Sequence, residues 1–565
     1  MFIYRWQQRC LFVGLGLLLL TALYIIAFYP IYTSHQIIIS FALHPFDICK
    51  QYPLGWYYIK KLFIVFAVIA NFIILNTIFS ALPHKPSTNK KNFAPTEDND
   101  SSLFSIKIGQ DSEGNILYLP AKGLFQNVLV TGTIGTGKTS SAMYPFTKQL
   151  IGYKANSPSE KIGALILDVK GNYYQQVYCY CQQYHRIEDL MMIDLHHTMF
   201  YNPLDKPHLK PSVLAHRLKT ILLLFSPNNS ESFWLDKVEQ ILGECIKLCR
   251  IYNDGYVTFQ ELHKLITLPQ YYEEKINVIR AQFMSGSLSK EDCFNLLSSI
   301  NFFEKEYLTL DERTMAILKS EITRITNCFV ADMDVLNTFC PPKEKINFHG
   351  FHDVINQGKI VVLNMNIAEY RNLSRIIAAY LKLDFQTEVM QQLATTTPQR
   401  MVAFVSDEYH EYVTATDADF FAQSREAKCI NIVSTQSYTS LLNTLKDKYT
   451  VNAITQNLVN KIWFRTDDIF TIEDAQKQIG KEEKVKYSKS ISENAKTTDF
   501  NYFTKRFNAS DTNLSESINT YSQFDFIYDT NYFTQKLATF HAVSFLSTGD
   551  KILPPREIEL FPYFK

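Results

Sequence analysis

Residues 126–150 read QNVLVTGTIGTGKTSSAMYPFTKQL, and this stretch decides the fold. The apolar run QNVLVTGT (Gln126 to Thr133) is typical of a buried strand, a glycine-rich turn follows at once, and SSAMYPFTKQL is compatible with a helix. A strand, a GxxxxGK[ST] turn and a helix in this order make a P-loop. We therefore predict a nucleotide-binding α/β domain around this stretch rather than a plain glycine-rich connection.

The residues of the loop have separate tasks in binding a nucleoside triphosphate. Glycines let successive backbone N–H groups face the phosphate oxygens. Lys138 is placed to reach the β and γ phosphates, and the Thr139 hydroxyl is placed to face Mg²⁺. The chain has only 19 Gly in 565 residues, so three of them inside one loop indicate selection for this task. The predicted ligands are ATP and Mg²⁺.

A second motif supplies the acidic residues that a P-loop needs. MVAFVSDE (Met401 to Glu408) is an apolar run that closes on two carboxylates. We expect Asp407 to bind Mg²⁺ together with Thr139, partly through water, and Glu408 to polarise the attacking water. An acidic pair also follows many ordinary strands, so we assign these roles to Asp407 and Glu408 only because the chain also has a P-loop. The predicted nucleotide-binding residues are Gly132, Thr133, Gly135, Thr136, Gly137, Lys138, Thr139, Ser140 and Asp407.

Other apolar runs alternate with helical patterns such as LSRIIAAYLKLDFQTEVM, which favours a mostly parallel, doubly wound sheet. The further predicted strands are ALILDV (Ala164 to Val169), KIVVLNM (Lys359 to Met365), INIVST (Ile430 to Thr435) and KIWFRT (Lys461 to Thr466).

Lys138 and Asp407 are separated by 407 − 138 = 269 positions, more than the intervening strands and helices require. Residues 206–345 have helical periodicity and few strand candidates. We predict an all-α domain inserted into the nucleotide-binding domain.

Composition leaves the partner open. The chain has 56 Lys+Arg against 56 Asp+Glu and is 46% hydrophobic, which excludes a disordered, collagenous or small disulfide-stapled protein. A net charge of zero gives no global attraction to nucleic acid or anionic lipid, although a neutral protein can still hold a local basic channel.

Two uncharged runs near the N-terminus predict a membrane anchor. Residues 11–32 and 62–82 are each long enough for a transmembrane helix, which needs about 20 residues. A cleaved signal peptide is the alternative for the first run, but its apolar stretch is longer than a signal core. Arg5 and Arg9 precede the first run, and Lys85, Lys90 and Lys91 follow the second. Positive residues at these two ends favour a cytoplasmic location for both ends and a periplasmic loop between the spans.

The predicted domain plan has four parts. Residues 1–92 are the membrane anchor, and the polar, Pro-containing segment 83–100 reads as its tether to the folded body. Residues 93–205 form the first part of the nucleotide-binding domain, and residues 206–345 form the inserted all-α domain. Residues 346–565 form the second part, with a C-terminal extension.

This plan resembles the coupling-protein ATPases of type IV secretion, the VirD4/TraG/TraD family, over nearly the whole chain. Several stretches resemble family signatures in addition to the two motifs. They are LDVKGNYY (Leu167 to Tyr174), FYNPL (Phe200 to Leu204), Phe233-Trp234, SREAKCINIVSTQS (Ser424 to Ser437) and NLVNKIWFRTDD (Asn457 to Asp468).

The resemblance implies a RecA-like P-loop domain and two more catalytic residues besides Lys138 and Glu408. Gln436 would act as a sensor of the γ-phosphate or the lytic water, and Arg425 would act as an arginine finger on a neighbouring subunit's nucleotide. For Gln436 the alternative is a polar strand cap, and for Arg425 it is a solvated charge. The family's usual Asp-Pro-Lys-Gly-Glu reads Asp168-Val-Lys170-Gly-Asn172 here.

The resemblance further implies a homo-hexamer in the bacterial inner membrane, multi-pass, with its ATPase body in the cytoplasm. Such a protein couples ATP hydrolysis to the transfer of single-stranded DNA with relaxase, or of secreted proteins, into the channel components of a type IV secretion system. Two other functions stay open. One is a DNA pump of the FtsK/HerA kind, and the other is a nucleotide-gated receptor for effector proteins.

Overall fold

The computed structural model describes residues 104–564, apart from 169, 197, 225–231, 287, 371, 395–399, 495–499, 502–505 and 508–512, together with residues 16 and 65. Apart from residues 16 and 65, the two predicted membrane spans, 11–32 and 62–82, lie outside the described residues. Within the described part, no helix combines the length and apolar character that crossing a bilayer requires.

An 11-stranded sheet forms the centre of the body that spans residues 103–565. Its strands are β1 (Ser105–Asp111), β2 (Ile116–Pro120), β3 (Val128–Thr131), β4 (Gly163–Leu167), β5 (Leu190–Ile193), β6 (Ile360–Leu363), β7 (Val402–Ser406), β8 (Cys429–Thr435), β9 (Asn460–Phe464), β14 (His541–Phe545) and β15 (Arg556–Leu560). Four further strands lie outside it and are β10 (Lys481–Asn494), β11 (Phe500–Asn501), β12 (Arg506–Phe507) and β13 (Asn513–Phe526).

The strand order is β2-β1-β15-β14-β9-β3-β8-β7-β4-β6-β5. The seven strands from β9 to β5 are mutually parallel, and β14, β15, β1 and β2 add an antiparallel edge. The fold is therefore a mixed α/β sheet whose larger part is parallel, as predicted.

The central parallel strands bury side chains on both faces of the sheet, because each face is covered. In β4, Leu165 and Leu167 belong to one hydrophobic core, whereas Ala164 and Ile166 belong to another. This alternation places the two cores on opposite faces of the sheet. Burial on both faces explains why the central strands read as continuous apolar runs in the sequence.

Helices connect the strands and cover both cores. Their bounds are α1 (Ala121–Leu124), α2 (Tyr144–Gly152), α3 (Tyr173–Gln183), α4 (Pro211–Leu224), α5 (Ser232–Tyr252), α6 (Phe259–Thr267), α7 (Pro269–Met284), α8 (Lys290–Phe302), α9 (Glu312–Val330), α10 (Met333–Phe339), α11 (His352–Gln357), α12 (Ile367–Tyr370), α13 (Asn372–Gln391), α14 (Asp417–Gln423), α15 (Tyr438–Leu445), α16 (Lys448–Asn457) and α17 (Ile469–Ile479).

The helices α4 to α10 follow one another between β5 and β6. The described residues between these two strands form no further strand, only one isolated bridge. That bridge joins Tyr201 to Phe348, so the chain enters and leaves the helical segment side by side. The Asn347 side chain accepts from Phe200 N at 2.8 Å, next to this bridge. We call the two segments paired around Tyr201 and Phe348 the stem of the helical segment.

A buried charge cluster ties this stem to α13. Asp384 on α13 contacts Arg217 at 2.7 Å and Lys206 at 2.9 Å, and it accepts from the Tyr201 hydroxyl at 2.6 Å. Burial raises the pKa of Asp384, but the two cations outweigh burial and hold that pKa below its ordinary value. Two cations on one buried carboxylate satisfy charges that would otherwise be costly to bury.

A long antiparallel hairpin was not predicted from the sequence. β10 and β13 pair over fourteen positions, from Lys481 opposite Phe526 to Asn494 opposite Asn513. Its residues are largely polar, and Tyr487, Ile518 and Phe524 are exposed on it.

Candidate nucleotide-binding site

The glycine-rich loop leaves β3 at the carboxyl edge of the parallel strands. Gly135 and Gly137 have φ angles of 79° and 98°, in the left-handed region that glycine adopts without strain. A π-helical turn, Lys138–Met143, follows the loop and continues into α2. Thr136 Oγ1 donates to Thr133 O at 2.8 Å, and Ser140 Oγ donates to Gly137 O at 3.3 Å. These two hydrogen bonds within the loop stabilise the turn.

Lys138 is buried and folds back over the loop. Its Nζ donates to the carbonyl oxygens of Gly132 and Thr133. Burial lowers the pKa of Lys138, and the nearby carboxylates of Glu408 and Asp407 oppose part of that effect. The ammonium group thus lies between the loop and the acidic pair, where a point charge meets the phosphates of a bound nucleotide.

Thr139 and Asp407, the two residues predicted from the sequence to bind Mg²⁺, lie within hydrogen-bond distance of each other. Thr139 Oγ1 donates to Asp407 Oδ2 at 2.8 Å, although the residues are 268 positions apart. A hydroxyl and a carboxylate are hard oxygen donors, and Mg²⁺ is commonly held by one or two such groups together with substrate phosphates. These two side chains therefore fit Mg²⁺ as partners of a nucleotide-borne ion.

Glu408 has a left-handed backbone, with φ 47° and ψ 45°. That conformation is uncommon for a residue with a side chain, and the following segment holds it in place. Lys382 on α13 is fully buried and donates to Tyr412 O, to Thr414 and to Asp417, which anchors this segment.

The Glu408 carboxylate has two close partners. Lys170 Nζ lies 2.6 Å from Oε1, and Gln436 Nε2 donates to Oε2 at 3.4 Å. Burial raises the pKa of Glu408, but Lys170, His410 and Lys138 outweigh burial, so this pKa lies below its ordinary value. An ionised carboxylate beside the phosphate loop is the state that a general base requires.

Asp168 shapes the turn that presents Lys170. Its carboxylate accepts from the backbone N–H groups of Lys170 at 3.0 Å and of Asn172 and Tyr173 at 3.3 Å. Burial raises the pKa of Asp168, and the neighbouring Asp407 raises it further. The Asn172 side chain is exposed and makes no cap to α3, so Asn172 takes part through its backbone alone.

Gln436 and Arg425 lie at opposite ends of β8. Thr435 pairs with Thr131, so Gln436 follows β8 at the same edge as the phosphate loop. Arg425 precedes Cys429 by 429 − 425 = 4 positions and is exposed. A parallel strand of seven residues is about 20 Å long. Arg425 is therefore remote from the loop of its own chain.

Some neighbours of the site were not identified from the sequence. His410 Nδ1 lies 3.7 Å from Glu408 Oε2 and 3.2 Å from Thr435 Oγ1. Phe540 N donates to Thr136 O at 3.0 Å, and Tyr563 N donates to Ser140 O at 2.9 Å. His410 stands next to the acidic pair and was open to notice, whereas Phe540 and Tyr563 are over 400 positions from the loop.

No protein-family model matches the chain, and no curated protein sequence is significantly similar to it. Solved structures of the plasmid coupling protein TrwB do match. The complex of TrwB with ADP and Mg²⁺ gives a TM-score of 0.53 at 12% identity, covering 81% of this chain and 94% of that chain. The complex with the GTP analogue GDPNP gives a TM-score of 0.53 at 13% identity, covering 80% of this chain and 90% of that chain.

An unbound form of the bacterial conjugative coupling protein TrwB gives a TM-score of 0.52 at 12% identity, covering 80% of this chain and 88% of that chain. The chain thus shares the fold of a conjugative coupling protein. The predicted α/β class and the predicted resemblance are confirmed at the level of the fold.

Proposed function

We propose that this chain is a P-loop ATPase that serves as the coupling protein of a type IV secretion system. One observation carries the proposal: Thr139 and Asp407 meet at 2.8 Å beside the buried Glu408, whose carboxylate pairs with Lys170, in a fold shared with TrwB. TrwB has been solved with ADP and Mg²⁺ and with the ATP analogue ADPNP. These complexes support ATP and Mg²⁺ as ligands of the present loop.

In the proposed reaction the loop N–H groups bind the phosphates and Lys138 neutralises charge at the β and γ phosphates. Mg²⁺, held by Thr139 and Asp407, would supply further charge neutralisation when bound. Glu408 accepts the proton of the attacking water, and Gln436, within hydrogen-bond distance of Glu408, orients that water. The γ-phosphoryl group transfers to water, leaving ADP and phosphate.

Arg425 is the proposed arginine finger, which acts on the nucleotide of a neighbouring subunit. Its position at the far end of β8 and its exposure leave it free to approach another copy of the chain. A guanidinium delivered from a neighbour stabilises charge in the transition state that no residue of the same subunit reaches. This role requires a neighbouring subunit, and we propose a homo-hexamer.

The proposed domain plan places a membrane anchor at 1–92, with spans at about 11–32 and 62–82. The nucleotide-binding domain takes residues 93–205 and 346–565, and the inserted all-α domain takes 206–345. The paired stem at Tyr201 and Phe348 supports an insertion at this place. The protein would then sit in the bacterial inner membrane with its ATPase body in the cytoplasm.

The proposed cargo is single-stranded DNA with relaxase, or secreted protein, delivered to the channel. The test is ATP hydrolysis by the full chain alone, with single-stranded DNA, with duplex DNA and with secreted protein. Stimulation by single-stranded DNA or secreted protein supports a coupling protein. Stimulation by duplex DNA alone would favour a pump of the FtsK/HerA kind.

The variant Glu408→Gln sharpens this test. It keeps the shape of the side chain but removes the proton acceptor, so ATP should bind and hydrolysis should fall by about 10²- to 10⁴-fold. Glu426→Gln, on an exposed residue, is the matched control. A wild-type chain that neither binds nor hydrolyses ATP would reject the proposed function.

A further inference from the structure

We infer that Phe564, with Phe540 and Tyr563, forms the platform on which the purine base of the nucleotide stacks. This inference rests on the proposed function, because it extends the same site from the phosphates to the base. The three rings belong to the C-terminal region, which nothing in the two nucleotide motifs identifies.

The sheet order separates the two ends of the bound nucleotide. The acidic pair follows β7, which lies on the β8 side of the loop strand β3. Phe540 immediately precedes β14, and Tyr563 follows β15 by three positions, and these strands lie on the β9 side of β3. The antiparallel pairing of β14 with β9 brings Phe540 to the carboxyl edge, where the loop also lies.

Backbone hydrogen bonds attach these segments to the loop itself. Phe540 N donates to Thr136 O at 3.0 Å, and Tyr563 N donates to Ser140 O at 2.9 Å. Leu560 N donates to Phe540 O at 2.9 Å, which joins the two segments to each other. The aromatic residues are thereby held at fixed positions next to the phosphate-binding turn.

Gly137 accommodates the Phe540 ring. A Cβ on Gly137 would lie 2.4 Å from Cδ1 of Phe540, and Gly137 has a φ of 98°. Phe540 itself has a left-handed φ of 67°, a strained conformation for an aromatic residue. The loop and the ring therefore fit closely, and the backbone strain at Phe540 is balanced by this contact and by the bonds around it.

The rings continue outward from the loop to solvent. The centroid of Phe564 lies 6.0 Å from that of Phe540 and 5.3 Å from that of Tyr563, at steep interplanar angles. Tyr563 also packs edge-on against Tyr144 of α2, at 5.2 Å. Phe564 is 61% exposed and Tyr563 is 44% exposed, so both offer ring surface.

The direction of the phosphate chain brings the base to these rings. Thr139 and Asp407 meet on one side of the loop, beside Glu408. We therefore place the γ-phosphate and the metal ion on that side and the α-phosphate toward the other side of the loop. The ribose and base extend beyond the α-phosphate, toward Ser140 and the segment bonded to it. An exposed aromatic ring at that place can stack on a purine face, which favours adenine and guanine alike because stacking does not read base edges.

The test compares ATP with tripolyphosphate, which has the phosphates but no base, in calorimetric titrations of the full chain. Phe564→Ala should weaken ATP binding by about five- to a hundredfold while leaving tripolyphosphate binding unchanged. Phe564→Trp should keep ATP affinity, and GTP should lose affinity in Phe564→Ala as ATP does. Tyr449→Ala, on a residue that is 85% exposed, is the matched control and should change neither ligand.

Several outcomes would overturn the inference without touching the proposed function. Unchanged ATP affinity in Phe564→Ala would reject the platform, and so would an equal loss for ATP and tripolyphosphate. Reduced assembly with unchanged nucleotide affinity, seen by sedimentation, would assign the rings to a subunit interface instead. Failure of the wild-type chain to bind either ligand would reject the proposed function itself.

Discussion

The Nζ atom of Lys170 lies 2.6 Å from Oε1 of Glu408, although the two residues are 238 positions apart. Lys170 is half exposed, whereas Glu408 is buried. Partial burial lowers the pKa of Lys170, but the carboxylates of Asp407 and Glu408 raise it above its ordinary value. The pair keeps the proposed general base ionised and also occupies one of its two oxygen atoms.

Lys170→Met should therefore change the pH dependence of hydrolysis. Glu408 has a folded-state pKa below its ordinary 4.5, so it stays ionised down to pH values where a free side chain is protonated. Without Lys170, burial raises this pKa, and the acidic limb of the kcat/KM profile should move to higher pH. The same pairing stabilises the fold above pH 4.5 and is lost as pH falls through the lowered pKa. Lys477→Met, on an exposed lysine, should leave the limb in place.

Lys138→Ala should abolish useful ATP turnover. The change removes the charge on the β and γ phosphates and also two hydrogen bonds to the carbonyls of Gly132 and Thr133. We expect hydrolysis to fall by at least about a hundredfold and nucleotide affinity to fall with it. Turnover of radiolabelled ATP measures the first effect and calorimetry the second. Undiminished turnover would mean that the loop is not the nucleotide site.

Gln436→Ala should separate rate from affinity. The side chain contacts Glu408 and lies at the carboxyl edge of β8, so it acts on the attacking water rather than on ground-state binding. We expect kcat to fall by about a hundredfold with little change in the Kd for ATP. Gln423→Ala, on an exposed residue, is the control. A change confined to Kd would identify Gln436 as a simple strand cap.

Arg425→Ala should reduce turnover on the order of a thousandfold or more if it is an arginine finger. ATP affinity of isolated subunits should stay the same, since Arg425 is remote from its own loop. Mixing Arg425→Ala with Lys138→Ala subunits gives the decisive measurement. An intact Arg425 from one variant can then serve the intact loop of the other, so activity should return in the mixture. If Arg425→Ala alone keeps the wild-type turnover, Arg425 is only a solvated charge and not an arginine finger.

Asp384→Asn should destabilise the body. The change leaves Lys206 and Arg217 buried without their carboxylate, and breaking a buried charge network costs about 3–5 kcal/mol. Denaturant unfolding followed by circular dichroism measures the loss. Asp236→Asn removes an exposed partner of Lys219 and should cost about 0–1 kcal/mol. Equal effects of the two variants would refute the role given to Asp384.

The central strands could be predicted because each is buried on both faces. The runs predicted to end near Thr133, Val169 and Thr435 coincide with β3, β4 and β8, within a few residues. The edge strand β5 is apolar but only four residues long and partly buried, and β15 alternates charged and apolar residues, so neither produces the long buried run that marks the central strands. The hairpin of β10 and β13 is largely polar and leaves little pattern for a periodicity argument.

The phosphate end of the site could be predicted because its residue types are dictated by the ligand. A loop that binds phosphate needs glycine, lysine and a hydroxyl at fixed spacing, and these stand at Gly137, Lys138 and Thr139. Contacts made through long-range packing follow no such spacing. The ion pair of Lys170 with Glu408 and the attachment of Tyr563 to Ser140 depend on strand order, which sequence patterns do not state.

The position of β3 has a consequence for the time at which this protein becomes active during synthesis. β3 lies between β8 and β9, and the last residue of β9, Phe464, is made 464 − 131 = 333 residues after the end of β3, Thr131. At about 5–20 residues per second, the ribosome takes roughly 20 to 70 s to cover that interval. Until β8 ends at Thr435, the strand that carries the loop has no lateral partner, and until β9 ends it has only one of its two. A nascent chain therefore cannot complete its nucleotide site, and the exposed apolar strand is a target for chaperones until the second half emerges.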